Sequence, residues 1–111
     1  MNRKERIWEK LRTVMSEEDM NRLWFSELSK EKFKITADVH GMKRFEAKRF
    51  LRNIIALIRE AFFLMVIHGY NRGTVLKELT RNMLDNAYRV SGFEGVQGNL
   101  GCTILDIATA Q

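Results

Sequence analysis

The chain has 111 residues, 45% of them hydrophobic, and a formal net charge of +5. This size and apolar content fit one domain with a real core and exclude a disordered protein. The single cysteine excludes an internal disulfide, and the basic excess favours anionic partners. No signal peptide is visible, and the apolar stretch 54–67 is too short to span a bilayer. We therefore expect a cytoplasmic domain without membrane contact.

Residues 1–32 are predicted to form a helical extension, because they contain neither glycine nor proline. Apolar residues recur at helical spacing over positions 3–15, and Ser16 with the acids that follow it is typical of a helix start. The apolar face expected of this second helix consists of Met20, Leu23, Trp24 and Leu28. Both tryptophans lie in the extension. Docking onto the domain explains them, and a surface for self-association or another partner is the alternative.

Residues 33–111 are predicted to form an α/β domain. Alternating apolar residues over 33–39 indicate a strand, and residues 43–60 indicate a helix with a basic outer face. The continuous apolar run 62–67 predicts a strand in the middle of the sheet, buried on both faces.

A further helix is expected from Thr74, and a third strand over residues 87–93. Glycines recur every third residue from Gly92 to Gly101, which we interpret as a mobile loop before a last strand that starts at Cys102. The order βαβαββ predicts a two-layer sandwich, in which two helices pack on a mixed four-stranded sheet.

The two histidines of the chain occur in matching positions. His40 and His68 each end a predicted strand, and each is followed by glycine. Two right-handed crossovers would bring both to the carboxyl edge of the sheet, where open sheets bind ligands. Histidine exchanges protons near neutral pH, and Asp38 is placed to orient the imidazole of His40 or to act as a base.

The segment after the second histidine predicts phosphate binding. A loop from Gly69 to Gly73 can present backbone N–H groups, and the next helix adds its positive end. Arg72 and Lys77 would compensate the charge of a phosphoryl transition state.

Two other interpretations of the histidines are open from the residues alone. The first is two ordinary strand-to-helix turns without any catalytic function. The second is a metal centre, but the spacing of its ligands matches no zinc signature, and we predict no metal site and no cofactor. The residues of that centre would be Asp38, His40, His68 and Cys102.

Several of these motifs occur together in one known family. The stretches 38–41 (Asp-Val-His-Gly), 46–47 (Glu-Ala) and 66–69 (Val-Ile-His-Gly) resemble the small MutS-related (Smr) domain. Gly73, residues 76–77 and the glycine-rich turn at 98–103 are similar to that family as well. The resemblance covers about residues 33–108 and implies a fold akin to the C-terminal domain of translation initiation factor three.

The resemblance also implies a function in the handling of nucleic acid, including DNA repair. Smr domains are associated with structured DNA or RNA, and several act as nicking endonucleases or ribonucleases. The family's D-x-H motif, associated with activity, corresponds to Asp38 and His40. Its second loop reads H-G-x-G-x-G, whereas this chain has Asn71 in place of the middle glycine. A variant that binds without cutting is therefore the alternative.

We predict an endonuclease acting on branched, nicked or otherwise structured DNA or RNA. The alternative is a non-catalytic module that binds nucleic acid or the ribosome. The predicted catalytic residues are Asp38, His40 and His68. The predicted nucleic-acid-binding residues are Gly41, Lys43, Arg44, Gly69, Asn71, Arg72, Gly73, Thr74 and Lys77. The sequence does not distinguish DNA from RNA, shows no stacking aromatic residue and does not fix dependence on a divalent metal.

Overall fold

The computed structural model describes residues 1–69, 73–83 and 88–111, with the side chains of residues 73 and 74 outside that description. The elements in chain order are α1 (Arg3–Arg12), α2 (Glu17–Met20), β1 (Leu23–Glu27), β2 (Phe33–Asp38), α3 (Arg44–Leu57), β3 (Phe62–Ile67), α4 (Gly73–Arg81), β4 (Val90–Val96) and β5 (Asn99–Ile107). None of the helices in the described ranges is long and apolar enough to cross a membrane.

The predicted α/β class is confirmed, but the sheet has five strands where four were expected. Its order is β1-β2-β3-β5-β4, with β2 and β3 parallel and the other neighbours antiparallel. Strand β3 lies in the middle, as predicted. Burial alternates along it, since Leu64 and Val66 are fully buried while Phe63 and Met65 are half-buried. The expectation of burial on both faces was wrong, because the helices cover one face, while the other face, although also apolar, stays partly exposed.

Strand β1 lies where the sequence predicted a second long helix. That helix is confined to α2, and Leu23 and Trp24 alternate, with exposed fractions of 6% and 51%. Trp24 pairs with Thr36 of β2 across an antiparallel ladder. This ladder satisfies the backbone groups of β1 that face β2, and such tertiary pairing overrides the weak preference of a short segment. Leu28 lies beyond the strand and is also exposed.

The glycine-rich segment forms an ordered hairpin, so the expected mobile loop was wrong. Gly92 and Gly95 lie within β4 and pair with β5. Gly98 lies in the turn with a φ of +76°, a conformation that glycine adopts without the steric cost of a Cβ. Strand β5 begins at Asn99, three residues earlier than predicted. The antiparallel pairing, rather than intrinsic β propensity, holds these glycines in a strand.

The N-terminal helix α1 packs on the same face of the sheet as α3. Ile7 is buried in the common core, and the ring of Trp8 lies edge-on to Phe25 with 6.0 Å between centroids. Arg6 forms an ion pair with Glu60 at 2.6 Å, just before β3. Docking of the N-terminal segment onto the domain is therefore confirmed for Trp8, and Trp24 stays half exposed.

Candidate functional site

The carboxyl ends of β2 and β3 lie side by side, as the matching motifs predicted. The amide of Val39 donates to the carbonyl of Ile67 at 2.9 Å. The amides of His68 and Gly69 both donate to the carbonyl of Gly101, at the start of β5, over 2.9 and 3.1 Å. Three chain segments therefore meet at one edge, which we call the His-Gly edge.

The two His-Gly motifs contact one another at this edge. Gly69 has a φ of +81°, and a Cβ placed on it would lie 3.3 Å from Cβ of His40. Side-chain carbons rarely approach so closely without some displacement. The absence of a side chain at Gly69 thus allows the two motifs to pack together, with His40 close to the backbone of residue 69.

Asp38 and His40 form a carboxylate–imidazole pair. Oδ1 of Asp38 accepts a hydrogen bond from the amide of His40 at 3.1 Å and contacts Nδ1 of its ring. Because a carboxylate only accepts, Nδ1 carries the proton, and the neutral ring keeps Nε2 as an acceptor. The side chain of His40 is 64% exposed and that of Asp38 is 19% exposed. An oriented imidazole with a solvent-accessible ring is suited to proton transfer.

Arg22 supports this pair, although the sequence analysis did not single it out. Its Nη1 donates to the carbonyls of Asp38 and His40, at 3.1 and 3.3 Å. Its own carbonyl accepts from the amide of Asp38 at 2.9 Å. The register of β1 against β2 places residue 22 beside residue 38. This register was not recognised from the sequence, because a helix was predicted for this segment.

His68 lies in a different environment from His40, because its residue is only 2% exposed. Nδ1 lies 3.2 Å from the carbonyl of Gly69, and Nε2 lies 2.9 Å from Oγ1 of Thr103. A carbonyl only accepts, so Nδ1 carries the proton and the Thr103 hydroxyl donates to Nε2. Both ring nitrogens are therefore engaged inside the protein, and the ring joins β3 to β5.

The pKa of His68 is lowered from its usual value. Burial is the main cause, the bond to the Gly69 carbonyl opposes it, and the charges of Lys77 and Arg81 lower the pKa further. The neutral form is thus favoured. This environment suits a side chain that holds two strands together better than one that meets a ligand.

The remaining predicted residues are distributed around the same edge. Gly41 is exposed, with a φ of +79°, in the turn that leads into α3. Lys43 and Arg44 are exposed at the start of that helix, and Lys77 is half-buried on α4. The backbone of Gly73 opens α4. Asn71, Arg72 and the side chain of Thr74 lie outside the described residues.

Helix α3 presents an exposed basic face next to the His-Gly edge. Its exposed cations are Arg44, Lys48, Arg49 and Arg52, and Arg59 follows shortly after its end. Phe45 lies among the cations at the start of α3, and its side chain is 69% exposed. The sequence did not distinguish this exposed aromatic residue from the buried ones, and whether it stacks on a base is not decided by its exposure alone.

Cys102 lies at the same edge but is buried. Burial raises the pKa of its thiol, and the nearby charge of Asp38 raises it further, so the protonated form is favoured. A protonated thiol is a poor nucleophile and a poor ligand. Within residues 1–69, 73–83 and 88–111, no three His, Cys, Asp or Glu side chains are grouped to share a metal ion.

Comparison with known proteins identifies one family. The model of the Smr domain matches residues 37–107, which include both His-Gly motifs and begin after Arg22. Smr domains are nucleic-acid-binding domains. No curated protein and no solved structure matches the chain.

Proposed function

The chain belongs to the Smr domain family, and from this we propose that it is an endonuclease that cleaves structured DNA or RNA at the His-Gly edge. The observation that carries the proposal is the Asp38–His40 pair, in which a half-buried carboxylate orients an exposed imidazole. The net charge of +5 and the basic face of α3 support a polyanionic substrate.

In the proposed reaction, Nε2 of His40 removes a proton from the attacking oxygen, which is that of a water molecule or of a ribose 2′-hydroxyl. That oxygen forms a bond to phosphorus as the bond to the leaving oxygen breaks. Asp38 holds the ring in the required tautomer and stabilises the imidazolium that forms. The leaving oxygen then takes up the proton from the imidazolium, which restores the neutral ring. If water protonates the leaving oxygen instead, the imidazolium returns its proton to the hydroxide that is left, with the same result.

The substrate backbone is proposed to lie along the start of α3. Lys43 and Arg44 would contact phosphates there, and Gly41 permits close approach of the strand. Lys77 adds positive charge from α4. The segment 69–74, in which Asn71 stands where the family has a glycine, is proposed as a second phosphate contact. We assign His68 to positioning, because its ring is buried and both nitrogens are engaged.

A substrate panel tests this proposal. Purified protein is incubated with single-stranded, duplex, nicked and branched DNA and RNA of matched sequence, each with and without chelator. We expect cleavage of at least one structured substrate, and loss of that cleavage in Asp38→Asn. Glu9→Ala, an exposed change on α1, is the control and should cleave normally. Absence of cleavage from the whole panel, with or without added divalent metal, would contradict the proposal.

The second candidate is a module that binds nucleic acid, including ribosomal RNA, without cleaving it. The burial of His68 favours it, because one exposed histidine is left at the edge. This candidate predicts that the protein binds every ligand of the panel in a salt-dependent way and forms no cleavage product.

The cytoplasmic location also stays a prediction.

Self-association through residues 1–32 is a separate proposal, as is the division of the chain at residue 32. Since Trp8 is partly buried against the core, we place the surface for self-association at the exposed residues Trp24 and Leu28. Sedimentation over a concentration series tests it, and a monomer at all concentrations would contradict it.

A further inference from the structure

Phe45 is the most exposed aromatic side chain in the part of the chain that the structure describes, at 69%. It is the second residue of α3 and follows His40 by five positions. An exposed phenylalanine forgoes the favourable burial that most residues of this type obtain. Its ring is therefore free to contact a ligand or a partner, and its neighbours indicate which kind.

Three cations lie close to Phe45 along the helix, although Glu46 follows it directly. Arg44 precedes it, and Lys48 and Arg49 lie three and four residues further along the helix, the spacings that bring side chains together on one surface. All three are exposed. Fewer than two turns of helix thus combine an aromatic ring with three positive charges.

Phe45 also lines a groove of about 390 Å³ between α2 and α3. This volume is at the lower end of those found for small-ligand sites. Other residues lining it include Ser16, Asp19, Glu46, Arg49 and Asn53. Carboxylates and amides in the wall can bond the edge of a nucleobase, whereas phosphate is better placed on the side of Arg44 and Lys48.

We propose that Phe45 is a stacking site for one unpaired base of the nucleic-acid substrate, with Arg44 and Lys48 on the adjoining phosphates. This inference rests on the proposed function and names its substrate class: strands with unpaired nucleotides next to the cleaved bond. Aromatic side chains stack on unpaired bases, which a continuous duplex does not offer. The exposed cations Arg44 and Lys48 beside the ring favour a ligand that carries phosphates over an apolar partner.

Binding measurements on three matched ligands test the inference: a single strand, a perfect duplex, and a duplex with one bulged nucleotide. A 2-aminopurine at the unpaired position reports stacking through quenching of its fluorescence. The variants are Phe45→Ala, Phe45→Leu, Phe45→Tyr and Arg44→Ala. Because Phe45 is exposed, its substitution should leave the fold intact, which thermal unfolding checks.

We expect Phe45→Ala to bind the single strand and the bulged duplex about 5- to 150-fold more weakly, with little change for the perfect duplex. Phe45→Tyr should retain affinity and quenching, and Phe45→Leu should lose both, because leucine keeps apolar surface but has no π face. Arg44→Ala should weaken binding to all three ligands, since it removes a phosphate contact.

Two outcomes would overturn the stacking site alone: equal loss for paired and unpaired ligands, or full affinity in Phe45→Leu. The second would indicate an apolar contact, as with a protein partner. Failure of the unmodified protein to bind any ligand would instead overturn the proposed function, and the stacking site with it.

Discussion

Gly69 supports His40 by lacking a side chain. A Cβ at residue 69 would stand 3.3 Å from Cβ of His40, and the backbone there has a φ of +81°. The second His-Gly motif therefore acts as a backing surface for the first, although its own histidine is turned into the core. The two motifs match in sequence, but their histidines have different environments at the edge.

Gly69→Ala should damage this arrangement in two ways. The left-handed backbone costs a residue with a Cβ about 1–2 kcal/mol of stability, and the new methyl group displaces His40. Gly98→Ala is the matched control, because Gly98 has a φ of +76° but a Cβ placed there would meet no atom within 4 Å. Both variants should lose a similar free energy of unfolding in urea. Only Gly69→Ala should also cleave more slowly than its loss of stability explains. Equal cleavage by the two would refute the backing function.

Thr103→Val should destabilise the protein by about 1–3 kcal/mol. The change keeps the shape of the side chain but leaves Nε2 of the buried His68 without its donor. Thr109→Val, at an exposed position of the same chain end, is the control and should change stability by less than about 0.5 kcal/mol. Urea unfolding measures both. A neutral Thr103→Val would show that the hydrogen bond does not hold β3 to β5.

The pH dependence of stability should report the environment of His68. Its folded pKa is lowered, whereas the unfolded chain titrates near 6.5. Between these two values the unfolded chain binds more protons, so the free energy of unfolding falls as pH decreases from about 6.5. The slope from this one group is at most about 1.4 kcal/mol per pH unit.

His68→Gln is the comparison for that pH series. Subtracting its profile from that of the unmodified protein isolates the contribution of His68 from those of other groups. A difference that stays constant from pH 7 down to pH 5 would contradict the lowered pKa.

Arg22→Ala should reduce cleavage by about 10- to 100-fold while changing substrate affinity much less. The guanidinium fixes the carbonyls of Asp38 and His40, and small misplacements of a catalytic group are costly. Arg22→Lys should restore part of the rate, and Arg12→Ala, exposed on α1, is the control. The carbonyl ¹³C shifts of residues 38 and 40 should move in Arg22→Ala only. If Arg22→Ala leaves these ¹³C shifts unchanged and cleaves normally, Arg22 does not position the Asp38–His40 pair.

The sequence predicted the central part of the fold because its signals there are local. The alternation before His40, the helical periodicity of α3 and the apolar run of β3 each specify one element, and right-handed crossovers then place both motifs at one edge. Strand β1 could not be predicted in this way, since its pairing with β2 is a tertiary contact without a local signal in the sequence.

The sequence indicated which residues lie at the candidate site, but not how exposed each one is or what it contacts. Asp38 and His40 were found by their spacing, but nothing local distinguishes an exposed histidine from one buried against Thr103. Arg89 shows the same limit: it has a φ of +62°, and its side chain donates to the carbonyls of Ile55 and Ile58 at the end of α3. Such contacts depend on the whole fold.

The most direct test is the cleavage rate of His40→Ala on whichever substrate the unmodified protein cuts, with binding measured in parallel. The proposed function predicts a fall of about 10²- to 10⁴-fold in rate with affinity retained, because the variant loses the group that transfers the proton and keeps the basic face of α3. Cleavage by His40→Ala at the rate of the unmodified protein would contradict it.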